Sequence, residues 1–93
     1  MSESGVFQLP ALLTHDQARA VATQVCNLVR TQPLLQIDAS ELTQFDSSAL
    51  AVLLAGLREA AQHQHALKVS GLPAKALALA RVYGVENLLH LQS

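Results

Sequence analysis

Short apolar runs, each too brief for a helix, alternate along this chain with stretches in which apolar residues recur every three or four positions. That alternation restricts the fold to helices packed on a sheet. In the first periodic stretch Ala18, Val21, Ala22, Val25, Leu28 and Val29 fall on one stripe of a helix. Thr14, with Gln17 three residues on, has the form of a capping box and starts that helix. Its end is placed near Thr31 and Gln32, because Pro33 pushes the preceding residue out of the α region. A second helix is predicted from Ser47 to about His63, with Leu50, Leu53, Leu54, Leu57, Ala60 and Ala61 on its core side. A third covers residues 73–83, since Pro73 suits a first helical position and Gly84 a helix end.

The runs between them read as strands. Residues 34–39, bounded by Pro33 and Ser40, form a mostly buried strand, residues 67–70 another, and residues 88–91 a short closing one. Residues 6–13, interrupted by Pro10, suit an edge strand, where a missing donor is tolerated. The order β-α-β-α-β-α-β gives an α/β fold of about four strands and three helices, joined by right-handed crossovers. It leaves open whether the helices cover one face or both. At 93 residues the chain makes a single domain, residues 1–93. With 51% hydrophobic but only 3% aromatic residues, its core is built from Leu, Val and Ala. Such a core leaves no cofactor cavity, and no cofactor is expected.

Several function classes fall away on composition. Six Lys and Arg against seven Asp and Glu give no field to steer the chain to nucleic acid or anionic lipid. The lone Cys26 forms no internal disulfide, which fits a reducing compartment. His63 and His65, two residues apart, lack a third metal ligand nearby. The start Met1-Ser2-Glu3-Ser4 is acidic and polar, unlike a secretion signal. The longest apolar stretch, residues 49–57, is less than half of the roughly 20 residues that span a bilayer. A cytoplasmic location without membrane insertion is therefore expected. Ser47 has no G-x-S-x-G elbow around it, and the chain has no glycine-rich phosphate loop, so neither a hydrolase nor ATP binding is expected.

The second helix carries the functional signal. Rotation by 100° per residue from Leu50 puts Ser48, Val52 and Ala55 opposite the core, followed by Glu59, Gln62 and His63. This outer side is small and apolar at first and charged only later. Isolated exposed Val and Ala residues are ordinary, but small residues also let a second backbone come close, as at a docking surface. Just upstream, Asp46 is placed to cap free N–H groups, and Ser47 and Ser48 present hydroxyls at the positive end of the helix dipole. Asp and Ser are common helix-start residues in any case. A phosphate on Ser47 would be electrostatically favoured there.

The run Ile37-Asp38-Ala39-Ser40-Glu41-Leu42-Thr43-Gln44-Phe45-Asp46-Ser47-Ser48-Ala49-Leu50 resembles the strand, loop and helix-start signature of STAS domains. An Asp ends the strand, a second Asp follows eight residues later, and Ser-Ser, a small residue and Leu come next. The likeness continues through residues 67–71 and the helix after them, covering residues 34–91. It implies a small STAS-like domain that is not an enzyme. In anti-sigma factor antagonists of this family the position matching Ser47 is phosphorylated by a partner kinase. In the MlaB-like branch it is a Ser or Thr at the contact with an ABC-transporter ATPase. Antagonists usually carry a further C-terminal helix, whereas this chain ends two residues after Leu91, and residues 77–85 resemble the third helix of the MlaB-like branch. Ala49 stands where both branches commonly have glycine, and the short N-terminus leaves out one strand of the usual first hairpin.

The resemblance thus implies a non-catalytic subunit that binds the cytoplasmic ATPase of an ABC phospholipid-transport complex and supports its assembly or activity, peripheral at the inner membrane through that complex. The alternative is an anti-sigma factor antagonist, bound by an anti-sigma kinase and switched by phosphorylation of Ser47. Partner contact is assigned to Asp46, Ser47, Ser48, Ala51, Val52 and Ala55, extended by Lys75, Ala78, Arg81 and Val82 on the third helix.

Overall fold

Strand β1 (Ser4–Gln8) and the two-residue β2 (Leu12–Leu13) precede helix α1 (His15–Thr31). Then come β3 (Leu34–Asp38), the short β4 (Gln44–Phe45), α2 (Ser48–Gln62), β5 (Ala66–Ser70), α3 (Ala74–Val82) and β6 (Leu91–Gln92). The structure, a computed structural model, describes residues 4–84 and 91–92. Four strands form a parallel sheet in the order β1-β3-β5-β6, and β2 pairs with β4 in a separate two-stranded ladder. The α/β architecture with three helices follows the alternation in the sequence. Of the expected closing strand, Leu91 pairs with Val69, while residues 88–90 lie outside the described residues.

The stretch 6–13 is two strands rather than one. The β1 ladder runs in register with β3 from Ser4 opposite Leu34 to Gln8 opposite Asp38, and the Leu9 N–H extends it by donating to the Asp38 carbonyl at 2.9 Å. Pro10 then has no N–H to continue the ladder. The chain crosses over, and the Ala11 carbonyl accepts the N–H groups of both Thr43 and Gln44 at 2.9 Å, which starts the β2–β4 pairing. This small ladder anchors the segment leading into α2.

Helix α1 begins as its capping box requires: the Thr14 N–H donates to the Gln17 side-chain oxygen at 3.0 Å. It ends with the Gln32 N–H bonded to the Leu28 carbonyl, just before Pro33. Leu35 and Ile37 of β3 and Leu67 and Val69 of β5 are buried, while their neighbours Gln36, Ala66, Lys68 and Ser70 are exposed. The core they enter also holds Val21, Val25 and Val29 of α1, Leu50 and Leu53 of α2, and Ala76 and Ala80 of α3. The helices therefore cover one face of the sheet, and among the described residues the other face is open, with Val6 69% exposed. Residues 34–39 are mostly buried, as their apolar composition suggested, with Gln36 alone exposed.

Two glycines are required by this packing. A Cβ on Gly56 of α2 would lie 2.6 Å from Val25 Cγ1 and 2.9 Å from Leu67 Cδ1, so the missing side chain lets α2 settle between α1 and β5. Gly71, after β5, has φ +75°, a left-handed conformation, and packs on the Ser40 backbone after β3. That contact holds together the two strand ends nearest the start of α2.

Candidate protein-docking site

The site is built around Asp46. Its Oδ1 accepts the Ser48 N–H at 2.8 Å, and its backbone carbonyl accepts the Ala49 N–H at 3.1 Å, so Asp46 caps α2 with both side chain and main chain. Its Oδ2 also accepts the His15 N–H at the start of α1, at 3.4 Å. The Ser48 N–H foremost, with the Ser48 hydroxyl and the His15 N–H, holds the Asp46 carboxyl below the usual carboxylate range, against a partial burial that pushes the other way. The β2–β4 ladder fixes Phe45 and so delivers Asp46 to both helix starts.

Because Asp46 does the capping, Ser47 is released from it. Ser47 has helical backbone angles (φ −64°, ψ −14°), makes no side-chain hydrogen bond to the helix it opens, and is exposed. Its hydroxyl is available as donor and acceptor at the positive end of α2. Upstream, the Asp38 carboxylate is turned inward on its own loop: it accepts the Ser40 N–H at 2.9 Å, and bonding to Ser40, side chain first, lowers its pKa.

The outer face of α2 differs from the expected one. Val52 is only 1% exposed and belongs to the core. Ala55 is half-buried toward α1, where the Cys26 thiol donates to its carbonyl at 3.8 Å. Glu59, one turn further, receives the Arg30 Nε–H at 2.6 Å, and this bond above all lowers its pKa. The face assigned to solvent is thus the one that meets α1. Conversely Ala61, expected inside, is exposed, and Leu54 and Leu57 are half-buried. Ala49, at the position often occupied by glycine, is buried in the core.

The cause is that the largest side chains do not mark the centre of the buried face. Ala49, Val52, Gly56 and Ala60 are buried along with Leu50 and Leu53, because α1 and β5 approach α2 closely and only small residues fit between them. Choosing the leucines as the core turned the helix by about 75° at 100° per residue. The exposed stripe is Ser47, Ala51, Arg58 and Gln62, with Leu54 and Ala55 at its margins. Of the residues assigned to partner contact, Ser47 and Ala51 lie outward, Asp46 and Ser48 are half-buried in the cap, Ala55 is half-buried against α1, and Val52 is lost to the core.

On α3, Lys75, Ala78, Arg81 and Val82 are all exposed, Val82 at 77%. Ala76 and Ala80 take the buried side. Lys75, Ala78, Leu79 and Val82 line a shallow groove of ≈ 350 Å³ together with Phe45. Sequence reasoning did not single out Phe45 or Leu79, although an aromatic residue directly before Asp46 was a usable signal. The distant histidines serve the helix ends: His63 Nε2 lies 3.3 Å from Glu59 Oε2, and His65 Nδ1 lies 2.7 Å from the Val29 carbonyl oxygen. Burial first, with the Glu59 carboxylate, raises the Cys26 thiol pKa, so Cys26 is not an activated nucleophile. Among the described residues no helix is long and apolar enough to cross a membrane. The arrangement offers hydrogen bonding, small apolar contact and a groove, which are the elements of a recognition surface.

A family model described as "Mlab, STAS domain" matches residues 2–91. Among solved structures, the STAS domain of a SulP transporter from Vibrio cholerae superposes with a TM-score of 0.70 at 11% sequence identity, covering 98% of this chain and 73% of that one. At that identity the likeness speaks for the fold. No curated protein matches the sequence significantly.

Proposed function

The chain belongs to the STAS domain family, in its MlaB-type division, and from that premise we propose that it is a non-catalytic subunit that docks on the cytoplasmic ATPase of an ABC phospholipid-transport complex. The observation that carries this reading is the exposed Ser47, freed by Asp46 from capping its own helix and followed one turn later by the exposed Ala51. The Ser47 hydroxyl bonds to the partner, and Ala51 allows the partner backbone to approach. STAS domains are in general regulatory or interaction modules, which agrees with a subunit that works by binding.

The phospho-switch is less well supported by the local electrostatics. The Ser48 N–H that would welcome a phosphate on Ser47 is already bonded to the Asp46 carboxylate, and a dianion there would sit beside a like charge.

Co-expression with the ABC ATPase of the host's own lipid transporter, followed by affinity measurement on the purified pair, tests the proposal. Ser47→Ala is expected to weaken the complex and Ala51→Glu to abolish it, both without loss of folding. Wild-type affinity in both variants, or no complex with the wild-type chain, overturns it.

A further inference from the structure

The groove beside the docking stripe points to what the partner brings. We propose that the groove between Phe45 and α3 receives an apolar side chain of a protein partner, and that a carboxylate next to that side chain pairs with Lys75. This deepens the docking reading, on which it rests for the identity of the partner.

Four of the five lining residues, Phe45, Ala78, Leu79 and Val82, are apolar, and Lys75 brings the only charge. Small-molecule sites enclose their ligand and fix it with several converging polar groups, whereas this groove is shallow and offers one ammonium at its rim. Its chemistry is that of a pocket for an anchoring side chain at a protein interface. Phe45 directly precedes Asp46 and Ser47, so the groove continues the surface that carries the free hydroxyl.

Charge selects the occupant. Lys75 is exposed and makes no ion pair among the described residues. The Asp46 carboxylate is committed to the N–H groups of Ser48 and His15. On the α2 stripe the charged residue is Arg58, also a cation. An incoming apolar anchor flanked by carboxylates finds an unpaired ammonium at the rim, whereas one flanked by cations meets repulsion.

The test uses two synthetic amphipathic peptides with the same leucine stripe, one flanked by glutamates and the other by lysines, titrated into the isotope-labelled full chain. The glutamate peptide is expected to shift the amide resonances of Phe45, Lys75, Ala78, Leu79 and Val82, and the lysine peptide to leave them unmoved. In Lys75→Glu the glutamate peptide binds roughly tenfold more weakly and the preference turns toward lysine. A carboxylate in the first turn of α3 suits the helix dipole, so this variant keeps its fold. Ala78→Trp, which fills the groove, abolishes the shifts. Equal response to both peptides, shifts elsewhere on the chain, or indifference to Lys75→Glu overturns the groove assignment. Loss of ATPase binding in Ala51→Glu combined with silent peptides removes the groove and leaves the docking reading standing. Peptide binding in the groove without any ATPase complex does the reverse.

Discussion

His15 and Asp46 are 31 residues apart, yet the His15 N–H donates to Asp46 Oδ2 at 3.4 Å. Since Oδ1 of the same carboxylate takes the Ser48 N–H, one side chain satisfies a free donor at the start of each of two adjacent helices. Without it, Ser47 would be the natural cap of α2, and its hydroxyl would turn toward its own helix.

The pH dependence of folding follows from that carboxylate. The folded Asp46 titrates below its unfolded value of about 4, so its contribution is complete above that value and is lost as pH falls through the lower folded pKa. Asp46→Asn is expected to melt below wild type at neutral pH, with the gap closing on acidification as the pH falls through the lowered pKa of the folded state. Thermal melts across pH check this, and a gap independent of pH assigns the effect to something other than charge.

Val52→Ala tests the rotation of α2. Val52 is buried, so the change opens a cavity and costs on the order of 2 kcal/mol of stability. Ala51→Glu, one residue away on the exposed stripe, changes stability by no more than about 0.5 kcal/mol. Denaturant unfolding of both variants decides the phase; equal stabilities would contradict it.

Gly56→Ala places a methyl against Val25 and Leu67. Overpacking costs about 1–3 kcal/mol, and the better helix propensity of Ala returns about 1 kcal/mol. A net loss of stability is expected. A second substitution, Val25→Ala, relieves the clash, so Gly56→Ala costs less in that background than in the wild type. Additive effects in a double-mutant cycle would mean that the two residues do not press on each other.

Gly71→Ala forces a side chain into the left-handed region, which costs about 1–2 kcal/mol, and pushes it toward the Ser40 backbone at 3.1 Å. Gly84→Ala pays the same conformational cost at φ +70° but meets nothing within 4 Å. The melting temperature is therefore expected to fall further for Gly71→Ala, and the reverse order would remove the steric contribution of Ser40.

The periodicities and the punctuation of the sequence determined the three helices and the strands β3 and β5, but not the division of residues 6–13 at Pro10 or the short β4. Thr14 with Gln17, Pro33, Pro73 and Gly84 act through local backbone chemistry, which is written in neighbouring residues, and the helix bounds they imply agree with the fold to within about two residues. The cap at Asp46 was legible for the same reason. The direction in which α2 faces was not. Its two sides are both apolar, so hydrophobicity could not choose between them, and the choice fell to the closeness of α1 and β5, for which Val52 and Gly56 are the right size and Leu54 and Leu57 are not. Likewise only the three-dimensional arrangement put the helices on one face of the sheet, brought His15 to Asp46 across 31 residues, and set Phe45 beside α3. These are contacts between segments distant in sequence, and their geometry depends on how closely whole elements can approach, a quantity that no local pattern encodes.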